Sequence, residues 1–84
     1  MENDKNINLI LMAALRYALG RSSYIVSTVQ DFIIRHSDNE YIKADLSKYI
    51  KDIERHLEWQ PEENPYIRET WLNLIKQLKA KSEQ

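Results

Sequence analysis

The sequence predicts an all-α fold, a small bundle of about four helices in a single domain. Glycine occurs once and proline twice in 84 residues, too few for the many tight turns of a β protein. Hydrophobic residues make up 43% of the chain and charged residues 30%, which suits a compact helical domain. Apolar positions recur every three or four residues, the period of an α-helix. We expect one domain over residues 1–84, with frayed ends at 1–5 and 80–84.

The first helix is predicted over residues 6–19, with Asn6 or Asp4 as its N-cap. From Leu9 to Leu19 every residue is apolar, small or aromatic except Arg16, so the helix is apolar on nearly every side. That pattern is typical of a helix packed on several sides or used in a subunit interface, and it predicts self-association as a homodimer. Gly20, the only glycine, follows the last apolar residue and is predicted to be the C-cap.

The second helix is predicted over residues 23–36, capped by Ser22 or Ser23. Its β-branched residues would also suit a strand. The spacing of its apolar residues favours a helix; these are Ile25, Val29, Phe32 and Ile33.

The third helix is predicted over residues 39–58, after the stretch SDNE at 37–40, which has the spacing of a capping box. Its apolar stripe comprises Ile42, Leu46, Tyr49, Ile50, Ile53 and Leu57. The opposite face carries mixed charges, which we interpret as a solvated surface. Both prolines lie in the stretch QPEENP, where Asn64 and Pro65 have the pattern of an N-cap and first helical residue. The fourth helix is therefore predicted over 65–80, with Trp71 in the core.

Composition excludes several classes of protein. The chain has no cysteine, so it can form neither disulfides nor thiolate metal sites, and we expect a cytoplasmic location. Its formal net charge of −1 gives no overall attraction to nucleic acid or to an anionic membrane. The apolar run at residues 9–15 is too short to span a bilayer, so no membrane association is expected.

The sequence contains no pattern typical of catalysis. His36 and His56 lie near predicted helix ends, without the spacing of metal ligands, and we interpret them as residues that face the helix dipole. One glycine cannot build a phosphate-binding loop, and no nucleophile or dinucleotide motif is present. We predict a non-enzymatic protein with no cofactor and no metal; catalytic groups shared across a dimer would be the only route to an enzyme.

A helix-turn-helix is an alternative interpretation of the segment around Gly20. Residues 22–36 would then form the recognition helix and present polar side chains such as Ser22 and Gln30 to base edges. Arg16 opposes this interpretation, because a charged side chain four positions before the turn glycine would crowd the helix crossing. Few phosphate-binding residues are available, so DNA binding is not favoured.

The aromatic and arginine residues indicate a protein-binding surface. Tyrosine, tryptophan and arginine dominate interface hot spots. We predict that the partner-binding residues are Arg16, Tyr17, Arg21, Tyr24 and Trp59. Arg16 is either a buried residue paired with a carboxylate such as Asp31 or Asp52, or an anchor for an anionic partner. Trp59 either covers the end of the bundle or belongs to the interface.

The segment ALRYALGRSSYIVSTV resembles a stretch found in small proteins encoded by phages and prophages of Gram-positive bacteria. The residues that carry the resemblance are Arg16, Tyr17, Gly20, Arg21 and Tyr24. The resemblance implies an accessory protein of a mobile element, acting in a bacterial host. Small phage proteins without catalytic motifs often bind and block or redirect a host or defence protein, and we expect a similar role here.

Overall fold

The computed structural model describes residues 2–83, which form five helices and no strand. The helices are α1 (Glu2–Ala18), α2 (Ser23–Arg35), α3 (Glu40–Ala44), α4 (Leu46–Trp59) and α5 (Pro65–Ser82). Helix α5 packs against α2 and α4, and α1 packs against α2, α3 and α4. The predicted all-α bundle is confirmed.

The first two helices form a hairpin around Gly20. Gly20 has φ of +83°, a left-handed conformation that glycine adopts without penalty, so its predicted role in ending the helix is confirmed. The amide of Arg21 donates to the carbonyl of Ala18 at 3.0 Å and closes the turn. Helix α1 begins at Glu2, four residues before the predicted start at residue 6. Near this start, the Asn39 side chain donates a hydrogen bond to the backbone carbonyl of Asp4 at 3.0 Å.

The second segment is a helix rather than a strand, as its spacing predicts. Its N-cap is Ser22, although the Ser22 side chain makes no capping hydrogen bond. His36 is its C-cap, so His36 lies at a helix end as predicted.

The predicted helix over residues 39–58 is two helices, which corrects the sequence prediction. Asp45 ends α3 and precedes α4, with a backbone φ of −106° and ψ of 11°. Aspartate is a poor residue for a helix interior, because its side chain competes for hydrogen bonds outside the helical pattern. The N-cap of α3 is Asn39, whose side chain accepts from the amides of Tyr41 and Ile42. Ser37 donates instead to the carbonyl of Ile34 at 2.8 Å, so the predicted capping box does not form.

The last helix begins where the two adjacent residues Asn64 and Pro65 predict it. The Asn64 side chain accepts from the amide of Tyr66 at 2.8 Å, and Pro65 occupies the first turn. The helix continues to Ser82, two residues beyond the predicted end at residue 80.

All five helices contribute side chains to the core. Trp71 is fully buried, as predicted. The largest fully buried side chains are Trp71, Tyr49, Leu15, Ile33, Ile42, Ile53, Leu74, Leu78 and Val26.

A buried polar cluster joins α1 to the start of α4. The Tyr49 hydroxyl donates to Asn8, whose side-chain oxygen lies 2.7 Å away and whose backbone carbonyl lies 3.0 Å away. The Asn8 side chain in turn donates to Asp45 at 2.9 Å. These bonds hold α1 against α4 along its first half.

Candidate partner-binding surface

The predicted partner-binding residues lie at one end of the bundle. Gly20 reverses the chain there, so the end of α1 and the start of α2 are adjacent, and the C-terminal residue of α4 approaches the same end. We call this region the turn end and define it by Arg16, Tyr17, Arg21, Tyr24 and Trp59.

Arg16 is exposed and does not lie in the core. Its Nε lies 3.4 Å from the Asp52 carboxylate, which is one of the two partners that the sequence suggests. However, 66% of the Arg16 side chain is accessible, so the expectation of a buried ion pair is wrong. The buried stripe of α1 runs through Asn8, Leu11, Leu15 and Ala18, and Arg16 lies off that stripe.

Tyr17 and Arg21 form a stacked pair on the turn. The Arg21 guanidinium lies 4.6 Å from the centre of the Tyr17 ring, and its Nε donates to the Tyr17 carbonyl at 3.3 Å. Within residues 2–83, Arg21 forms no ion pair with a carboxylate. Tyr24 follows on the first turn of α2 and is 80% exposed. The turn thus presents a positive charge that a protein partner can reach, flanked by aromatic rings.

Trp59 is 76% exposed, so it does not cover the end of the bundle. It lines a shallow depression of about 240 Å³ between the ends of α1 and α4. The other residues that line this depression are Arg16, Leu19, Asp52, Arg55, His56 and Gln60. The depression therefore brings together Arg16 and Trp59, which are distant in sequence.

His56 and Glu63 join the end of α4 to the loop before α5. The His56 Nε2 atom contacts the Glu63 carboxylate, and both side chains are largely buried. No sequence pattern indicates this pair, because a loop rather than a helical turn brings the residues together. His56 nevertheless lies in the last turn of α4, as predicted.

A second surface, which was not predicted from the sequence, is a groove between α1 and α2. It has a volume of about 370 Å³ and is lined almost entirely by apolar atoms. We call it the α1–α2 groove; its lining residues are Ile7, Ile10, Leu11, Ala14, Thr28, Val29, Phe32 and His36. The signal was present in the sequence, since Ile7, Ile10 and Ala14 follow a helical stripe, but the stripe was obscured by the apolar residues on every other side of α1.

The groove also defines how α1 and α2 are arranged. The groove is lined by residues between Ile7 and Ala14 of α1 and by residues between Thr28 and the C-cap His36 of α2. Since the turn at Gly20 lies between these two stretches, α2 returns alongside α1, whereas the helices of a helix-turn-helix cross at about 90–120°. Arg16 does not crowd this crossing, because it is exposed and paired with Asp52.

Neither a membrane span nor a metal-ligand cluster is found along residues 2–83. No helix there combines the length and the apolar character needed to cross a bilayer. No group of three or more histidine and carboxylate side chains there is arranged to hold a metal ion.

The chain was compared with models of protein families, with curated proteins and with solved structures. None of the three comparisons gave a match.

Proposed function

We propose that this protein is a non-catalytic protein-interaction module that binds its partner through the turn end. The observation that carries the proposal is the concentration there of three highly exposed aromatic side chains, Tyr17, Tyr24 and Trp59, beside exposed arginines. Exposed aromatic rings cost solvation energy in a free monomer, and together with arginine they supply most hot-spot residues in interfaces.

The chemistry of the turn end favours a partner that carries carboxylates beside apolar side chains. Arg21 offers a planar set of donors suited to a carboxylate, and Tyr17 restricts its position by stacking. Such preorganisation reduces the side-chain entropy lost on binding. Arg16 can exchange Asp52 for a carboxylate of the partner, since their mutual contact is solvent-exposed and weak.

The resemblance of residues 14–29 to phage and prophage proteins supplies a setting for this activity. We propose an accessory protein of a mobile element, located in the cytoplasm of a bacterial host, that binds and inhibits or redirects a host or defence protein. The residues that carry the resemblance, except Gly20, are also turn-end residues, so both lines of support concern the same surface.

Affinity capture from a Gram-positive lysate tests the proposal. The wild-type protein is compared with the double variant Arg21→Ala/Trp59→Ala and with the control Lys51→Ala/Tyr66→Ala, which removes an exposed base and an exposed aromatic elsewhere. We expect a specific protein to be retained by the wild type and by the control, and lost with the turn-end variant. Equal retention by all three proteins would refute the turn end as the binding surface.

A DNA-binding regulator that uses residues 22–36 remains the alternative proposal. The exposed position of Arg16 removes one objection to it. The exposed side chains of α2, however, include Tyr24 and Phe32, and its Arg35 is paired with Asp31 at 3.0 Å. A band-shift experiment at low salt separates the alternatives: sequence-specific retardation would support DNA binding, and no retardation at micromolar protein would reject it.

A further inference from the structure

We propose that the α1–α2 groove is the interface of a symmetric homodimer, in which a second copy of the chain packs antiparallel on the same groove. The groove adjoins the turn end and shares Tyr17 and Tyr24 with it. The dimer is tested by the association state of the chain, and the capture experiment by variants of Arg21 and Trp59, so failure of one proposal can be told from failure of the other. An isologous contact of this kind uses one patch on both copies, so the patch must be self-complementary in shape, apolar character and charge.

The groove lies within a large exposed apolar surface. Side chains along both of its helices are 45% to 80% exposed: Ile10, Tyr17, Tyr24 and Phe32. If a fully exposed aromatic side chain has roughly 200 Å² of surface, these four residues expose on the order of 500 Å². That is at the upper end of the range of about 300–600 Å² for the largest apolar patch on a monomer.

This area agrees with the area that a stable dimer requires. A standard interface takes about 800 Å² from each partner, and about 65% of a homodimer interface is apolar. The exposed apolar surface of the α1–α2 hairpin supplies that apolar share, and the polar side chains at its border supply the remainder. The groove itself is lined by no lysine, arginine or carboxylate, and His36 is its one ionisable side chain, so a second copy that covers it buries no permanently charged group.

The distribution of charge along the hairpin selects the antiparallel arrangement. Between Lys5 and Asp31 the only charged residues are Arg16 and Arg21, and both lie at the turn end. The opposite end of the hairpin carries mixed charges, with Asp4 beside Lys5 on α1 and Asp31 paired with Arg35 on α2. An antiparallel dimer keeps the arginines of the two copies apart, whereas a parallel dimer would bring them together and incur repulsion.

Tyr17 and Tyr24 lie where the groove meets the turn end. In the dimer these tyrosines contact the second copy, while Arg16, Arg21 and Trp59 stay accessible to another protein. Each dimer would therefore have one turn end at either end of its long axis.

Sedimentation velocity over micromolar to millimolar protein measures the proposed association. We expect the wild type to change from its 10.1 kDa monomer to a dimer as concentration rises. Ile10→Asp and Phe32→Asp should each raise the dimer Kd at least tenfold, because a carboxylate would be buried in an apolar contact. Leu72→Asp is the matched control, an exposed leucine on α5, and should leave the Kd unchanged.

Circular dichroism of each variant shows whether it remains folded. Ile10 and Phe32 are exposed in the monomer, so helical content should be retained. A wild-type protein that stays monomeric at millimolar concentration would overturn the proposal. So would a dimer that Leu72→Asp weakens as much as Ile10→Asp does.

Spin labels measure the orientation of the two copies. The chain has no cysteine, so a single cysteine at Ser22 or at Asn6 takes one label. In the antiparallel dimer, two Ser22 labels should be separated by about 25 Å or more, the length of α1 at 1.5 Å per residue. A mixture of Ser22-labelled and Asn6-labelled chains should show a shorter distance. A short distance between two Ser22 labels would overturn the antiparallel arrangement.

Discussion

At the scale of single residues, the buried cluster of Asn8, Asp45 and Tyr49 shows how polar side chains determine packing. Asn8 lies in the apolar segment of α1, yet it is buried and its side chain contacts both of the other residues. A buried polar group costs little when its hydrogen bonds are formed and much when one is lost. The cluster therefore favours one alignment of α1 against α4.

Tyr49→Phe tests the energetic value of this cluster. The substitution removes the hydroxyl that donates to Asn8 and leaves buried acceptors without that donor. We expect the free energy of unfolding to fall by about 1–2 kcal/mol in urea denaturation. Tyr66→Phe, at an exposed tyrosine, should change it by much less. An unchanged value for Tyr49→Phe would contradict the assigned role.

The stability of the protein should also fall in alkaline solution because of Tyr49. Burial raises the pKa of the Tyr49 phenol, and the nearby negative charge of Asp45 raises it further. Above a pH of about 10, the unfolded chain releases this proton while the folded chain keeps it, so rising pH favours unfolding. The midpoint of urea denaturation measured between neutral and alkaline pH should fall more steeply for the wild type than for Tyr49→Phe. If the urea midpoint fell equally with pH in the wild type and in Tyr49→Phe, this assignment would be contradicted.

Arg16→Met should have little effect on stability. The ion pair with Asp52 is solvent-exposed, and such pairs contribute about 0–1 kcal/mol. Thermal unfolding should therefore show nearly the same midpoint for the variant, while retention of the captured partner should decrease. A large loss of stability would show that the ion pair has a structural role.

At the scale of helices, Gly20 determines where α1 ends. Gly20→Ala places a side chain in a left-handed conformation, although a Cβ atom there would contact nothing within 4 Å. The cost is therefore one of backbone conformation, about 1–2 kcal/mol in the free energy of unfolding. Gly20→Asn should cost less, because asparagine adopts this conformation more readily. Equal denaturation midpoints for Gly20→Ala and the wild type would contradict this explanation.

Local sequence signals predicted a helix boundary best where the residue that forms the boundary is adjacent to it in the chain. Asn64 caps the residues directly after it, and Gly20 ends its own helix, so both could be identified from the sequence. The division of the third predicted helix could not be identified from the sequence. The break at Asp45 accompanies a hydrogen bond from Asn8, which is distant along the chain, and the apolar stripe continues across it.

At the scale of the whole molecule, association should couple to folding. If the folded chain dimerises through the α1–α2 groove, higher protein concentration stabilises it by mass action. We expect the thermal midpoint of the wild type to rise with concentration, and the midpoint of Ile10→Asp to stay constant. Scanning calorimetry over a hundredfold concentration range measures both. A wild-type midpoint that does not depend on concentration would contradict the dimer.

The sequence by itself determined the helical class, the turn at Gly20, the start of α5 and the buried position of Trp71. These depend on composition, periodicity and local capping, which are properties of neighbouring residues. Only the tertiary structure decided that Arg16 is exposed and which apolar side of α1 is left uncovered. Helix α1 is apolar on nearly every side, so its sequence does not specify which stripe enters the core. Packing against α2 and α4 made that choice and left the α1–α2 groove exposed.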